Sequence, residues 1–147
     1  APPPSGPEYL LGDGDNVIFA WDELKKIAAE NLDAARRRLM DILCNYAGYR
    51  KCVPILVFDA YRVKGAGREQ ETWHNLHVIY TREAETADMF IERATHELAK
   101  NHRVRVVSSD GAEQIIILGN GALRVSARAF EREVRAVEAE IREFLDQ

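Results

Sequence analysis

At 147 residues the chain is long enough for one ordinary hydrophobic core and too short for two comfortable ones, so a single domain is expected. With 46% hydrophobic and 30% charged residues it has the composition of a soluble globular protein, and a formal net charge of −4 argues against blanket attraction to nucleic acid or an anionic membrane while leaving local basic patches open. No apolar run approaches the roughly 20 residues that span a bilayer, and the start lacks the charged-then-apolar order of a signal peptide, so a cytoplasmic protein with no membrane partner is expected.

The opening APPPSGP is proline-rich and favours extended geometry, so residues 1–8 read as a linker or leader ahead of a domain over 9–147. EYLLG is a short apolar run that reads as a buried strand ending at Asp13. Leu32, Leu39, Ile42, Leu43 and Tyr46 recur at helical spacing. CVPILVF is a second strand, β-branched and ending at Asp59. Beyond it lies a polar loop rich in basic and aromatic groups, followed by a third strand, LHVIYT. Phe90, Ile91, Ala94 and Leu98 mark a helix, RVRVVSS a fourth strand, Ile115 to Leu118 a short helix, ALRVS a weaker fifth strand, and Phe130 to Leu145 a long final helix. Cys44 and Cys52 have no metal-ligand spacing and fit a reduced compartment.

Strand and helix in alternation imply right-handed crossovers and a mainly parallel sheet covered on both faces, an α/β architecture. In such a sheet the loops leaving the strands share one rim, where ligands bind. Asp13 ends the first strand, Asp59 the second and Asp110 the fourth, while Asp88 opens the helix after the third. Four acids from distant segments are thus expected on one rim. Each taken alone is better explained as a helix cap or first-turn acid, and Asp110 with Glu113 has capping-box spacing. Together they would repel one another unless a proton or cation intervenes. Mg²⁺ or Mn²⁺ is the natural counterion, and metal-held water acting on a phosphodiester is the natural chemistry, which points to a nuclease.

Other motifs weigh less. Gly65 to Gly67 lacks a Walker lysine, and no nucleophile elbow is present. The four histidines read as ordinary surface or edge residues. Asp13 and Asp15 in DGDN resemble the nucleophile pair of haloacid dehalogenase-type phosphatases, but Asn16 stands where that motif has Thr or Val. Just beyond Asp59, the segment DAYRVKGAGR supplies Tyr61, Arg62, Lys64 and Arg68, groups suited to holding phosphates and stacking a base, with Trp73 and His74 candidates for the same surface. Arg36, Arg37 and Arg38 spread around a helix and read mostly as solvation.

YLLGDGDNVIFAW, ILVFDAYRVKG, VIYTREAETADMFIER and VRVVSSDGAEQIIILGNGALRVSAR together resemble the YacP-type NYN domain, a bacterial branch of the PIN-like ribonucleases. The resemblance implies a PIN-like three-layer α/β/α sandwich and metal-dependent endoribonuclease chemistry, with RNA as substrate and the ribosome as a partner in messenger cleavage. It carries the family's acidic positions onto Asp13, Asp59, Asp88 and Asp110, gives Asn16 an orienting role, and leaves Thr86 and Ser109 as supporting hydrogen-bond partners. The family usually reads like LVDGYN, so Gly12 and Asp15 are departures. Gly12 is expected to cost packing, and Asp15 to add a charge beside the metal acids. An RNA- or ribosome-binding module with an impaired site is therefore the alternative to an active nuclease, with the phosphatase third.

Overall fold

The computed structural model describes residues 6–59, 69–82, 84–108, 115–117 and 121–147. Seven strands form one sheet in the order β3-β4-β2-β1-β5-β7-β6: β1 (Tyr9–Asp13), β2 (Val53–Phe58), β3 (Glu69–Trp73), β4 (Leu76–Tyr80), β5 (Val104–Ser108), β6 (Ile115–Ile117) and β7 (Leu123–Ser126). The five inner strands are parallel, and β3 and β6 run antiparallel at the two edges. The mainly parallel sheet expected from the sequence is present, and its middle strand, β1, is apolar along Leu10 and Leu11 because both faces are covered.

Helices α1 (Gly14–Ala20), α2 (Asp22–Glu30), α3 (Leu32–Arg50) and α5 (Ala127–Leu145) cover one face, and α4 (Ala87–Leu98) covers the other. The larger core joins Leu10, Leu56 and Phe58 of the strands to Val17, Leu39, Tyr46 and Phe130 of the helices. The smaller one sets Leu11, Val57 and Val106 against Ile91 of α4. This is a three-layer α/β/α sandwich. Trp21, fully buried between α1 and α2, donates its indole N–H to the carbonyl of Ala127 at 2.8 Å and so ties the α1–α2 junction to the start of the last helix.

Two segments differ from the sequence expectation. Ile115–Ile117, read as a short helix, is instead an edge strand paired with β7. Three consecutive isoleucines carry no period of their own, and β-branched residues fit a pleated surface where one is offered. Glu69–Trp73, read as loop, is a strand on the open edge of β4. Its polar sequence gives no apolar alternation, and the free hydrogen-bonding edge of β4 supplies what the side chains do not.

Candidate nuclease site

β1 delivers Asp13 to the carboxyl edge of the sheet, and the chain turns at once into α1 with Asp13 as its N-cap. The backbone N–H of Asn16 donates to Asp13 Oδ1 at 3.2 Å, and the Asn16 amide donates from Nδ2 to Oδ2 at 3.1 Å. Both carboxylate oxygens of Asp13 are therefore held in place by one residue. Gly14 is the residue this turn requires: a Cβ there would stand 2.2 Å from Cε1 of the buried Phe58 ring.

β2 ends at Phe58, and Asp59 follows. Its Oδ1 accepts the backbone N–H of Ala87 at 2.6 Å, clamping the end of β2 to the first residue of α4. Thr86 caps that helix by accepting the Met89 N–H at 3.1 Å, which leaves Asp88 in the first turn. Asp13 and Asp88 both line a cavity of about 1000 Å³ between α4 and the β1–β5–β7 part of the sheet. Asp13 is only 7% exposed, and its carboxyl is raised from 3.8 to about 6. Burial is the largest cause; the Asn16 hydrogen bond opposes it, and the nearby charges of Asp59, Asp88 and Asp15 add to it.

Three of the four acids marked in the sequence, Asp13, Asp59 and Asp88, thus come together with Asn16 and Thr86. Asp110 and Ser109 lie outside the described residues, as do Tyr61, Arg62, Lys64 and Arg68. Trp73 and His74 do not join the site: they form the turn leading into β4, at the amino edge of a strand parallel to β2, whereas the acids sit at the carboxyl edge.

Asp15 and Arg36 behave differently from the expectation. Arg36 is not a solvated residue but 4% exposed, and it grips Asp15 with Nε to Oδ1 at 3.2 Å and Nη2 to Oδ2 at 3.1 Å. Its guanidinium also lies over the Phe58 ring, 4.9 Å from the centroid. The added charge of Asp15 is compensated within the fold. Gly12 likewise leaves the rim intact: a Cβ there would find Leu56 and Val107 at 3.8 Å, ordinary contact, and the space it vacates is a void of about 10 Å³, too small to hold a water comfortably.

A second arginine also escaped the sequence reading. Arg124, in β7, lines the acid cavity and donates from Nε to Ser108 Oγ at 2.8 Å. A lone arginine between Leu123 and Val125 of a half-buried strand was the one signal available for it.

The donor set suits a hard divalent cation, since every acid is a carboxylate and their mutual repulsion is what such an ion relieves. Among the described residues, no group of three or more His, Cys, Asp or Glu side chains is arranged to hold a metal ion. Among the same residues, no helix is long and apolar enough to cross a membrane.

The family description of the YacP-like NYN domain matches residues 10–147. The uncharacterized protein YacP of Bacillus subtilis is 42% identical over 135 residues, covering 91% of this chain and 79% of that protein. The crystal structure of Rae1 (YacP) from Bacillus subtilis superposes with a TM-score of 0.78 at 40% identity, covering 94% of this chain and 79% of that one. That of its W164L mutant gives 0.77 at 39%, covering 92% and 80%.

Proposed function

Because the chain belongs to the YacP-like NYN domain family, whose nuclease-type domains have RNA-related functions, we propose that it is a divalent-metal-dependent endoribonuclease acting on RNA phosphodiester bonds, with messenger RNA on the ribosome as its substrate setting. The observation that carries this reading is the meeting of Asp13, Asp59 and Asp88 at the carboxyl edge of the parallel sheet, beside a cavity large enough for a nucleotide.

Asp13 and Asp88, with Asp110 and with Asp59 as an outer acid, would hold Mg²⁺ or Mn²⁺. When bound, such an ion supplies an activated water and neutralises charge on the leaving oxygen. The chain itself does the positioning. Asn16 fixes both oxygens of Asp13, and Asp59 locks α4 so that Asp88 faces the same cavity. Burial and the charges of Asp59, Asp88 and Asp15 raise the Asp13 carboxyl to about 6, a cost of ionisation that a bound cation would relieve.

The pairing of Asp15 with Arg36 and the clean accommodation of Gly12 support an intact site over an impaired one. The deciding experiment is cleavage of end-labelled RNA, naked and on translating ribosomes, with Mn²⁺ or Mg²⁺, with chelator, and with Asp13→Asn and Asp110→Asn. Cutting that needs metal and vanishes in both variants is the expected result. RNA binding with no turnover in either setting would overturn it in favour of the binding module, and phosphate release from monoesters would favour the phosphatase.

A further inference from the structure

The cavity in front of Asp13 and Asp88 carries cationic groups on its other walls, and they are not equivalent. Among the described residues two arginines line it, Arg93 on α4 and Arg124 on β7. Arg93 is ion-paired with Glu85 and lies over the Phe90 ring. Arg124 has no carboxylate partner among the described residues. Its one hydrogen bond there is from Nε to the neutral hydroxyl of Ser108, at 2.8 Å.

Among the described residues, that arrangement leaves the two terminal nitrogens of a half-buried guanidinium without a hydrogen bond, in a cavity shared with the carboxylates of Asp13, Asp88, Glu92 and Glu97. The strand below it is held on both sides, with Val106 of β5 and Ile116 of β6 opposite Arg124 in the ladder, so the fork starts from a fixed base. The Ser108 hydroxyl occupies Nε and sets the plane of the guanidinium without neutralising it. A planar, pre-aimed, uncompensated fork is the group that recognises an oxyanion with two free oxygens. The acids opposite exclude a carboxylate-rich ligand on their own, but tolerate an anion that arrives with a cation.

We propose that Arg124 is a substrate-binding residue, gripping a non-bridging phosphate of single-stranded RNA in this cavity, with Ser108 as its positioning residue. The inference rests on the nuclease reading for its ligand class, and its test is separable from that reading.

The test is equilibrium binding of a labelled single-stranded RNA oligonucleotide, with Ca²⁺ as the accompanying divalent cation in place of Mg²⁺ or Mn²⁺, across a series of monovalent salt concentrations, for wild type, Arg124→Gln, Arg124→Lys and Ser108→Ala. Loss of one charge-assisted phosphate contact should weaken binding roughly tenfold or more. It should also reduce the magnitude of the slope of log affinity against log salt by about 0.7 in Arg124→Gln. Arg124→Lys should keep the slope and recover part of the affinity; Ser108→Ala should keep the slope and lose affinity, since the charge remains but its aim does not. A merely structural role for Arg124 would leave the salt slope untouched. An unchanged slope in Arg124→Gln, or no binding by the wild-type chain, overturns the inference. Cleavage in Mn²⁺ is scored separately: wild type that cuts while Arg124→Gln keeps its KM sinks the inference alone, whereas Arg124-dependent binding without cutting sinks the nuclease alone.

Discussion

Arg36 and Asp15 form a two-pronged ion pair, 3.2 and 3.1 Å long, with both side chains buried, directly behind the helical turn that holds Asp13. Asp33 also approaches Arg36, at 3.7 Å, but its side chain is 85% exposed and cannot stand in for Asp15. The pair lets a charged residue occupy a position where the family resemblance led an aromatic one to be expected. It also makes the two positions interdependent.

Breaking the pair from either side should be costly. Asp15→Asn, Arg36→Met and Asp15→Tyr should each lower unfolding free energy by about 3 kcal/mol, because each removes the two-pronged bond from a buried charge. The double variant Asp15→Leu with Arg36→Met should recover most of that loss. Urea unfolding at pH 7 measures it, and additive losses in the double variant would show that the two residues act independently.

Asp13 is expected to be a stability liability in the metal-free protein. Its folded pKa, about 6, is above the unfolded value of 3.8, so folding favours the protonated form. The resulting stabilisation is complete below 3.8 and is lost as pH rises through about 6. In chelator, wild type should therefore gain stability between pH 7 and pH 4 relative to Asp13→Asn. At pH 7 the variant should be the more stable by up to ~3 kcal/mol, while lacking nuclease activity. Thermal unfolding of both proteins across that range checks the sign, and a less stable Asp13→Asn at pH 7 would contradict it.

Neighbouring glycines should respond in opposite ways. Gly12→Ala places a methyl group at 3.8 Å from Leu56 and Val107 and fills part of a void, so a gain of about 0.5 to 1 kcal/mol is expected. Gly14→Ala drives a methyl group into the Phe58 ring, which is packed on Tyr80 at 5.7 Å and under Arg36, so a loss of about 2 kcal/mol or more is expected. Equal effects at the two positions in denaturant unfolding would refute the close approach at Gly14.

The α4 terminus separates capping from chemistry. Thr86→Ala should cost about 1 kcal/mol and leave cleavage nearly intact, since Asp59 still holds the Ala87 N–H. Asp59→Asn retains an acceptor oxygen for that N–H but removes a charge from the acid group, so stability should hold while metal-dependent cleavage falls. Paired stability and cleavage measurements on the two variants read this out directly.

The strands β1, β2, β4 and β5 were legible because each is a compact β-branched or apolar run, and the acids after them follow from the rule that strand ends in a parallel sheet share a rim. The edge strands were not legible. β3 is polar and β6 is three identical residues, so neither carries a period, and both form because a neighbouring strand leaves an edge to pair with. Trp73 and His74 seemed close to the site because they follow Asp59 in the chain, but the antiparallel turn of β3 and β4 carries them to the opposite edge.

What the chain order alone determined is the local content: which runs can be strands, which stripes can be helices, and which acids must leave the sheet at its carboxyl edge. Period and polarity are properties of neighbouring residues, so they can be read without coordinates. The tertiary structure decided how charges are matched. Asp15 finds Arg36 across 21 residues because α3 packs back over α1, and Arg124 reaches Ser108 and the acid cavity because β7 pairs with β5. A charge in a sequence is read as solvated by default; only packing reveals which charges lose their water, and a buried charge must find a partner or a ligand.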